Sequence, residues 1–172
     1  MIATIDEIKK NSKLAKIDDN LLENKLKAIE TFIRGNYTNN KFYNRHIKFH
    51  CNSINNRLLT DNPFLKVGDT IEIAESPNEG LYTIKSIEDG TITLDRYVFD
   101  FYNYVIKVEY PEDVKQGALD MLEWEFGAKE KVGLKSETIS RHSVTYEDSA
   151  NFVSGYPISI LGFLEPYKKM RV

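Results

Sequence analysis

Cysteine is nearly absent from this chain. Its single thiol, Cys51, excludes an internal disulfide and a zinc site built from cysteines, and it agrees with a reducing compartment. Nowhere is there a run of the ~18 apolar residues that a membrane span needs. The start, MIATIDEIKK, reaches charge at Asp6, where a signal peptide would carry an apolar stretch. These features lead to the expectation of folding in a cytoplasm without a membrane partner, where the sequon Asn36-Tyr37-Thr38 has no meaning as a glycan site. An excess of one charge is missing too: 23 Lys and Arg stand against 26 Asp and Glu, a formal net charge of −3. Holding nucleic acid over a broad surface needs many cations to displace phosphate counterions, so only a local basic patch remains open. There is no internal repeat and no low-complexity run.

What is present is the composition of a folded domain. The 172 residues are 41% hydrophobic, 28% charged and 12% aromatic, which suits one domain of ordinary size or a small domain carrying an insertion. Thr4-Ile5-Asp6-Glu7 has the form of a capping box and opens a short helix. From Asp18 to Arg34, Leu22, Leu26, Ile29 and Ile33 recur on one stripe, with Gly35 as the expected stop. From about Arg45 to Glu109 the period changes from that of a helix to that of a strand. Ile47, Phe49 and Cys51 alternate with polar residues, and the runs 67–73, 82–84, 91–94 and 105–108 read as further strands, separated by Asn78-Glu79-Gly80 and by the hairpin signal Glu88-Asp89-Gly90. Helix character returns at Pro111, with acids in the first turn and a stripe of Val114, Ala118, Met121, Leu122 and Phe126. Gly117 and Ala118 allow close approach of a neighbour, and Gly133 ends the run. A last short apolar segment, Ile158 to Leu164, precedes Pro166, and the basic tail from Tyr167 to Val172 is expected to be free unless a partner orders it.

The fold class expected is α+β. A small helical domain of three to four helices is made from residues 1–44 and 110–172, and a small β-barrel or sandwich module over 45–109 is inserted in it, since a connection of ~65 residues is far longer than packed elements need.

Catalytic chemistry finds little support. His46 and His50 sit four apart, but on a strand that spacing is about 13 Å, too far for one metal ion, and both fall on the polar face opposite Cys51. Glu123 and Glu125 flank Trp124, yet residues two apart on a helix point in different directions, so solvated surface charge is the expected role. The glycines of Val67-Gly68-Asp69 and Gly155-Tyr156-Pro157 form no phosphate-cradling loop. Ser140 or Ser143 beside His142 lacks the frame of a triad. No catalytic residue, cofactor or metal site is expected, and the chain is not read as an enzyme.

The β segment has its own possibilities. The order of Leu65 to Ile73, Gly80 to Ile84 and Gly90 to Leu94 is similar to that of small barrels of the Src-homology-3 type, which bind peptides or nucleic acid. Within 65–95 the only cations are Lys66 and Lys85, against seven acids, so a protein contact or a purely structural role is favoured over a nucleic-acid face. The aromatic run from Tyr97 to Tyr104 is either an exposed adhesive patch or part of the barrel core.

The densest polar stretch is GLKSETISRHSVTY at 133–146. A helix opened by Tyr110-Pro111, then Gly133-Leu134-Lys135-Ser136-Glu137-Thr138-Ile139, then Ser143-Val144-Thr145-Tyr146, then a short C-terminal apolar segment, resembles the head-tail connector (adaptor) proteins of long-tailed bacteriophages. The ending from Gly155 through Leu161 to Tyr167 is similar to connectors from phages of low-GC Gram-positive hosts. The likeness covers 1–35 loosely and 110–172 well. The β insert departs from it, because typical members pass from the second helix to the third with few residues between.

The resemblance implies a virion protein at the head-tail junction, assembled in the host cytoplasm as a homo-oligomeric ring of commonly about twelve copies beneath the portal protein. The ring extends the channel, lets genomic DNA pass without sequence-specific binding, and docks a tail-side completion or stopper protein. By the same resemblance, Ser136, Glu137, Ser140, Arg141, Ser143 and Tyr146 face a neighbouring subunit or the lumen. Phe163, Leu164, Tyr167, Lys168, Lys169 and Arg171, within the segment Leu161 to Val172, reach the portal. The competing readings are an interaction module whose barrel binds a peptide or nucleic acid, and an unrecognised small hydrolase.

Overall fold

The structure is a computed structural model that describes residues 1–127, 136–139, 142–145 and 152–170. The chain is α+β and divides into two compact units, Met1–Thr4 with Lys41–Tyr110 and Ile5–Asn40 with Pro111–Val172. The first four residues thus go with the β unit, not with the helices that follow them: Ile2 and Ala3 are buried, and the Met1 carbonyl accepts from the Thr70 hydroxyl.

In the first unit, β1 (Tyr43–Ile54), β2 (Arg57–Leu59), β3 (Thr70–Ala74), β4 (Gly80–Glu88), β5 (Thr91–Leu94) and β6 (Phe101–Val108) close into a barrel in the order β1-β2-β5-β4-β3-β6. Every neighbouring pair is antiparallel. Closure leaves no open edge for stray pairing. The alternation seen in the sequence sorts the side chains: Cys51, Leu58, Ile71, Ile73, Tyr82, Ile84, Ile92, Leu94 and Val105 turn inward to one core. Each fully buried Ile or Leu among them contributes about 1.5–3 kcal/mol. Two hairpins have two-residue loops in which both residues take positive φ, Asn55 and Asn56 (51° and 64°) and Asp89 and Gly90 (44° and 72°). That conformation matches the twist of the paired strands, and Asn, Asp and Gly are the residues that tolerate it.

In the second unit, α1 spans Ile5–Lys9 and α2 spans Asp19–Thr31. The Asp18 carboxylate accepts from the Leu21 amide at 3.1 Å, a cap whose removal typically costs about 1 kcal/mol. Leu22, Leu26 and Ile29 form the buried stripe. Gly35 does not stop the helix. The chain continues as a π-helical turn, Phe32–Tyr37, which keeps Phe32 and Ile33 on the buried side, and it closes where the Thr38 amide and hydroxyl both donate to the Ile33 carbonyl. The third helix, α3, spans Glu112–Gly127, with Val114, Ala118, Met121 and Leu122 buried. The expected stop at Gly133 lies outside the described residues. After the hairpins β7 (Ser136–Ile139) with β8 (His142–Thr145) and β9 (Phe152–Val153) with β10 (Tyr156–Pro157), the last apolar segment forms two 3-10 turns, Ile158–Ile160 and Gly162–Tyr167, in place of a short α-helix. Among the described residues no helix is long and apolar enough to cross a membrane.

Candidate functional site

The polar stretch singled out in the sequence contains an antiparallel hairpin. Ser136 pairs with Thr145, Glu137 with Val144, Thr138 with Ser143 and Ile139 with His142. This two-stranded sheet has no third strand among the described residues, so each strand has one side without a ladder. A lone two-stranded hairpin is marginal in water and gains from a further strand or a packed face. Of the residues expected at a subunit contact, Ser136, Glu137 and Ser143 stand on its strands, while Ser140, Arg141 and Tyr146 lie outside the described residues.

The C-terminal segment is built into its own unit more than a free tail would be. Leu164 is fully buried. The Phe163 ring lies directly over Gly117 of α3, where an added methyl would meet it at 2.3 Å, so the close approach that Gly117 permits is used by this ring. Tyr167 donates its hydroxyl to the Asp113 carboxylate at 2.9 Å, which raises the phenol's pKa. The amide of Lys169 donates to the Thr38 carbonyl at 2.7 Å, and Asn39 donates to the Met170 carbonyl at 3.1 Å. The Lys168 ammonium sits 4.2 Å from the centre of the Tyr37 ring and pairs with Glu165 at 2.7 Å. That hydrogen bond, helped by one from the Tyr37 hydroxyl, holds the Glu165 carboxyl below its ordinary value. Exposed surface remains at Lys168 and Lys169. Arg171 lies outside the described residues.

On α3, Glu123 and Glu125 are not free surface charge. Glu123 accepts from Asn11 and from Lys13, and the Lys13 hydrogen bond is the chief reason its carboxyl is held down. The Glu125 side chain is only 7% exposed and pairs with Lys25 at 3.1 Å. Burial, then Glu125, pushes the Tyr156 phenol well above its usual range. Glu125 ties α3 to α2 and Glu123 ties it to the turn that follows α1, contacts invisible to local pattern because Lys25, Asn11 and Lys13 are about a hundred residues away.

The barrel carries a feature that periodicity did not reveal. Ser53, Asn78 and Asn103 are buried polar residues joined in one network. Asn78 donates to the Phe99 carbonyl (2.8 Å) and to Asn103 Oδ1 (2.9 Å), and its own Oδ1 accepts from the Phe99 amide (2.8 Å). Asn103 donates to Ser53 Oγ (2.8 Å), which in turn donates to the Phe99 carbonyl (2.6 Å). Buried polar groups satisfied in this way fix one conformation. What they fix is the segment that holds Tyr97, Phe99, Phe101 and Tyr102 out from the surface, at 63%, 60%, 47% and 59% exposure. The aromatic run is therefore mainly an outer patch, and Val98 is its core residue. The available signal was parity: Ser53 and Asn103 occupy inward positions, two residues from Cys51 and Val105.

His46 and His50 are exposed on β1, and His50 is stacked between Tyr102 and Tyr104 with centroids at 5.3 and 4.7 Å. Cys51 is buried in the barrel, which pushes its thiol up to about 11. Such a thiol is inert at neutral pH. The chain matches no protein-family profile and no curated protein.

Proposed function

We propose that the chain is a structural ring component of a bacteriophage head-tail junction. In this reading copies of the protein assemble beneath the portal, extend the DNA channel and dock a tail-side protein, and the inserted module is a small barrel of the Src-homology-3 type. The observation that supports it most is the β7–β8 hairpin: a polar two-stranded ladder with no third strand among the described residues suits edge pairing with a neighbour, which supplies backbone hydrogen bonds and register. A ring repeats one heterologous contact, so each subunit must offer two different complementary patches. The segment 161–170, packed on α3 yet exposing Lys168 and Lys169, is the proposed approach to the portal.

The test is charge reversal in the hairpin. Glu137→Lys or Arg141→Glu weakens ring formation on portal particles, while circular dichroism and the thermal midpoint stay as in the wild type. If such variants still complete heads and tails normally, the hairpin is not the contact. A second reading, an interaction module, is favoured by the exposed aromatics on the barrel and would give a monomer that ignores the portal.

A further inference from the structure

The outward positions of four neighbouring strands, β6, β1, β2 and β5, make one surface with its own composition. They alternate with the core residues Cys51, Leu58, Ile92 and Val105. In register, Tyr102 pairs with Asn52 and Tyr104 with His50, Ile54 pairs with Arg57, and Arg57 and Leu59 pair with Thr93 and Thr91. Arg57 is the single Lys, Arg, Asp or Glu among these positions, in a chain that is 28% charged. It is exposed, and its guanidinium makes no ion pair or hydrogen bond among the described residues. The acids at the rim form no ion pair with it: Glu88 pairs with Thr91 at the far strand, and the Asp100 carboxylate accepts from the Asn55 amide at 2.8 Å. Elsewhere on the barrel, outward apolar residues are covered by the chain itself. Ile106 and Val108 are buried, and Val108 pairs with Thr70, whose hydroxyl donates to the Met1 carbonyl. Tyr102 (59%), Ile54 (45%) and Leu59 (39%) have no such cover among the described residues.

We infer that this face docks a short segment of a partner protein, one that sets apolar side chains around a carboxylate. The inference rests on the ring reading, in which the partner is the tail-side protein, and it gives the inserted barrel a task there. Composition supports it: exposed Tyr and Arg with few other charges is the make-up of the centre of an interface, and such residues carry most of the binding energy. The carboxylate follows from Arg57, a fork of donors that no acid of its own barrel engages. The size of the occupant follows from area. Four strands at ~4.8 Å and five residues at ~3.3 Å give a face of about 14 by 13 Å, roughly 200 Å². The exposed parts of Tyr97, Phe99 and Phe101 adjoin it, since Phe101 pairs with Ser53, and raise this to about 500 Å². A stable free-standing complex buries ~800 Å² on each partner, so a second copy seated on this face alone would not hold. A short segment bound weakly at every subunit is instead multiplied by the ring. Nucleic acid is the less favoured occupant, because one cation is too few and the rim acids Glu88 and Asp100 repel phosphate.

The experiment uses the full chain assembled on portal particles of the same phage, with purified tails as the probe and joined particles counted by electron microscopy. Arg57→Glu and, separately, Tyr102→Ala with Leu59→Ser slow joining at least about tenfold, while ring stoichiometry and circular dichroism stay as in the wild type. A benzophenone amino acid in place of Thr93 cross-links on irradiation to a tail-side protein. Lys85→Glu, at an exposed position on β4 outside this face, joins normally. Normal joining by both face variants overturns the inference and leaves the ring reading standing, and so does a cross-link that reaches only another copy of this chain. An equal loss in Lys85→Glu points to net charge and also overturns it. A wild type that does not bind the portal removes the ring reading and the inference together. A fluorescent oligothymidine bound by the wild type and lost in Arg57→Glu, with tails joining normally, overturns the inference in favour of nucleic acid.

Discussion

Removing Asn78 should cost more than its place in a turn suggests. In Asn78→Ala the Phe99 amide loses its acceptor outright, while the Phe99 carbonyl and Asn103 Oδ1 each lose one donor and keep another, Ser53 at 2.6 Å and Ser76 at 2.8 Å. An orphaned donor costs about 1–3 kcal/mol and each replaceable bond about 0.5–1.5 kcal/mol. The Phe99 amide is only partly buried, which puts the first figure near its lower end, so the total is about 2–4 kcal/mol. With a urea slope of about 2 kcal/mol per molar, the midpoint of barrel unfolding, followed by tyrosine near-UV circular dichroism, falls by about 1–2 M. Amide exchange at Phe99 and Phe101 accelerates in the same variant, because the network is what holds that segment. Asn78→Asp keeps the acceptor for the Phe99 amide but buries a charge against two acceptor oxygens, and it is expected to be worse than Ala. A midpoint within about 0.2 M of wild type, with Phe99 protection unchanged, would refute the idea that this network fixes the aromatic segment.

Three further outcomes are expected. Gly117→Ala gains about 1 kcal/mol in helix propensity but displaces the Phe163 ring, so proteolysis after Phe163 and amide exchange across 161–170 rise. The double variant with Phe163→Ala loses less than the sum of the two singles, and full additivity contradicts the contact. The Cys51 thiol is raised by burial to about 11, so its contribution to stability is complete below its ordinary value near 9 and is lost as pH climbs from there through about 11. Accordingly, a thiol reagent at pH 8 labels Cys51 only at the rate of barrel opening, and rapid stoichiometric labelling of the native protein would contradict its burial. Lys13→Ala lets the Glu123 carboxyl return toward its ordinary value. Because a depressed carboxyl stabilises above its unfolded value and loses that contribution as pH falls below it, the variant loses less stability than wild type on acidification.

The two repeating periods in the sequence carried much of the secondary structure, because a core-facing stripe at Leu22, Leu26 and Ile29 and the alternation around Cys51 are local consequences of burial. Asp89-Gly90 marks a hairpin for an equally local reason, whereas Asn55-Asn56, without a glycine, is a weaker signal for the same positive-φ loop. The rest was decided by partners distant in the chain. Gly35 looks like a helix stop, yet burying Phe32 and Ile33 outweighs it and the chain winds on as a π turn. Glu125 looks like surface charge until Lys25 and Tyr156 come to it. Asn78 reads as a turn residue until the barrel closes and places Ser53 and Asn103 beside it. Phe163 over Gly117 was half visible, as a glycine implying a close neighbour without naming it. Of the residues expected to carry assembly, the sequence located an extended polar stretch, and the backbone pairing of 136–139 with 142–145 is the part the structure describes.

The measurement that bears most directly on the proposed function is the mass of the purified protein, alone and mixed with portal particles from the same phage, by native mass spectrometry or light scattering. A fixed ratio of one ring of about twelve copies per portal is the predicted result. A protein whose mass stays that of a single chain in the presence of the portal, at concentrations well above those of virion assembly, contradicts the ring reading and leaves the barrel's aromatic surface to be tested against peptides and oligonucleotides.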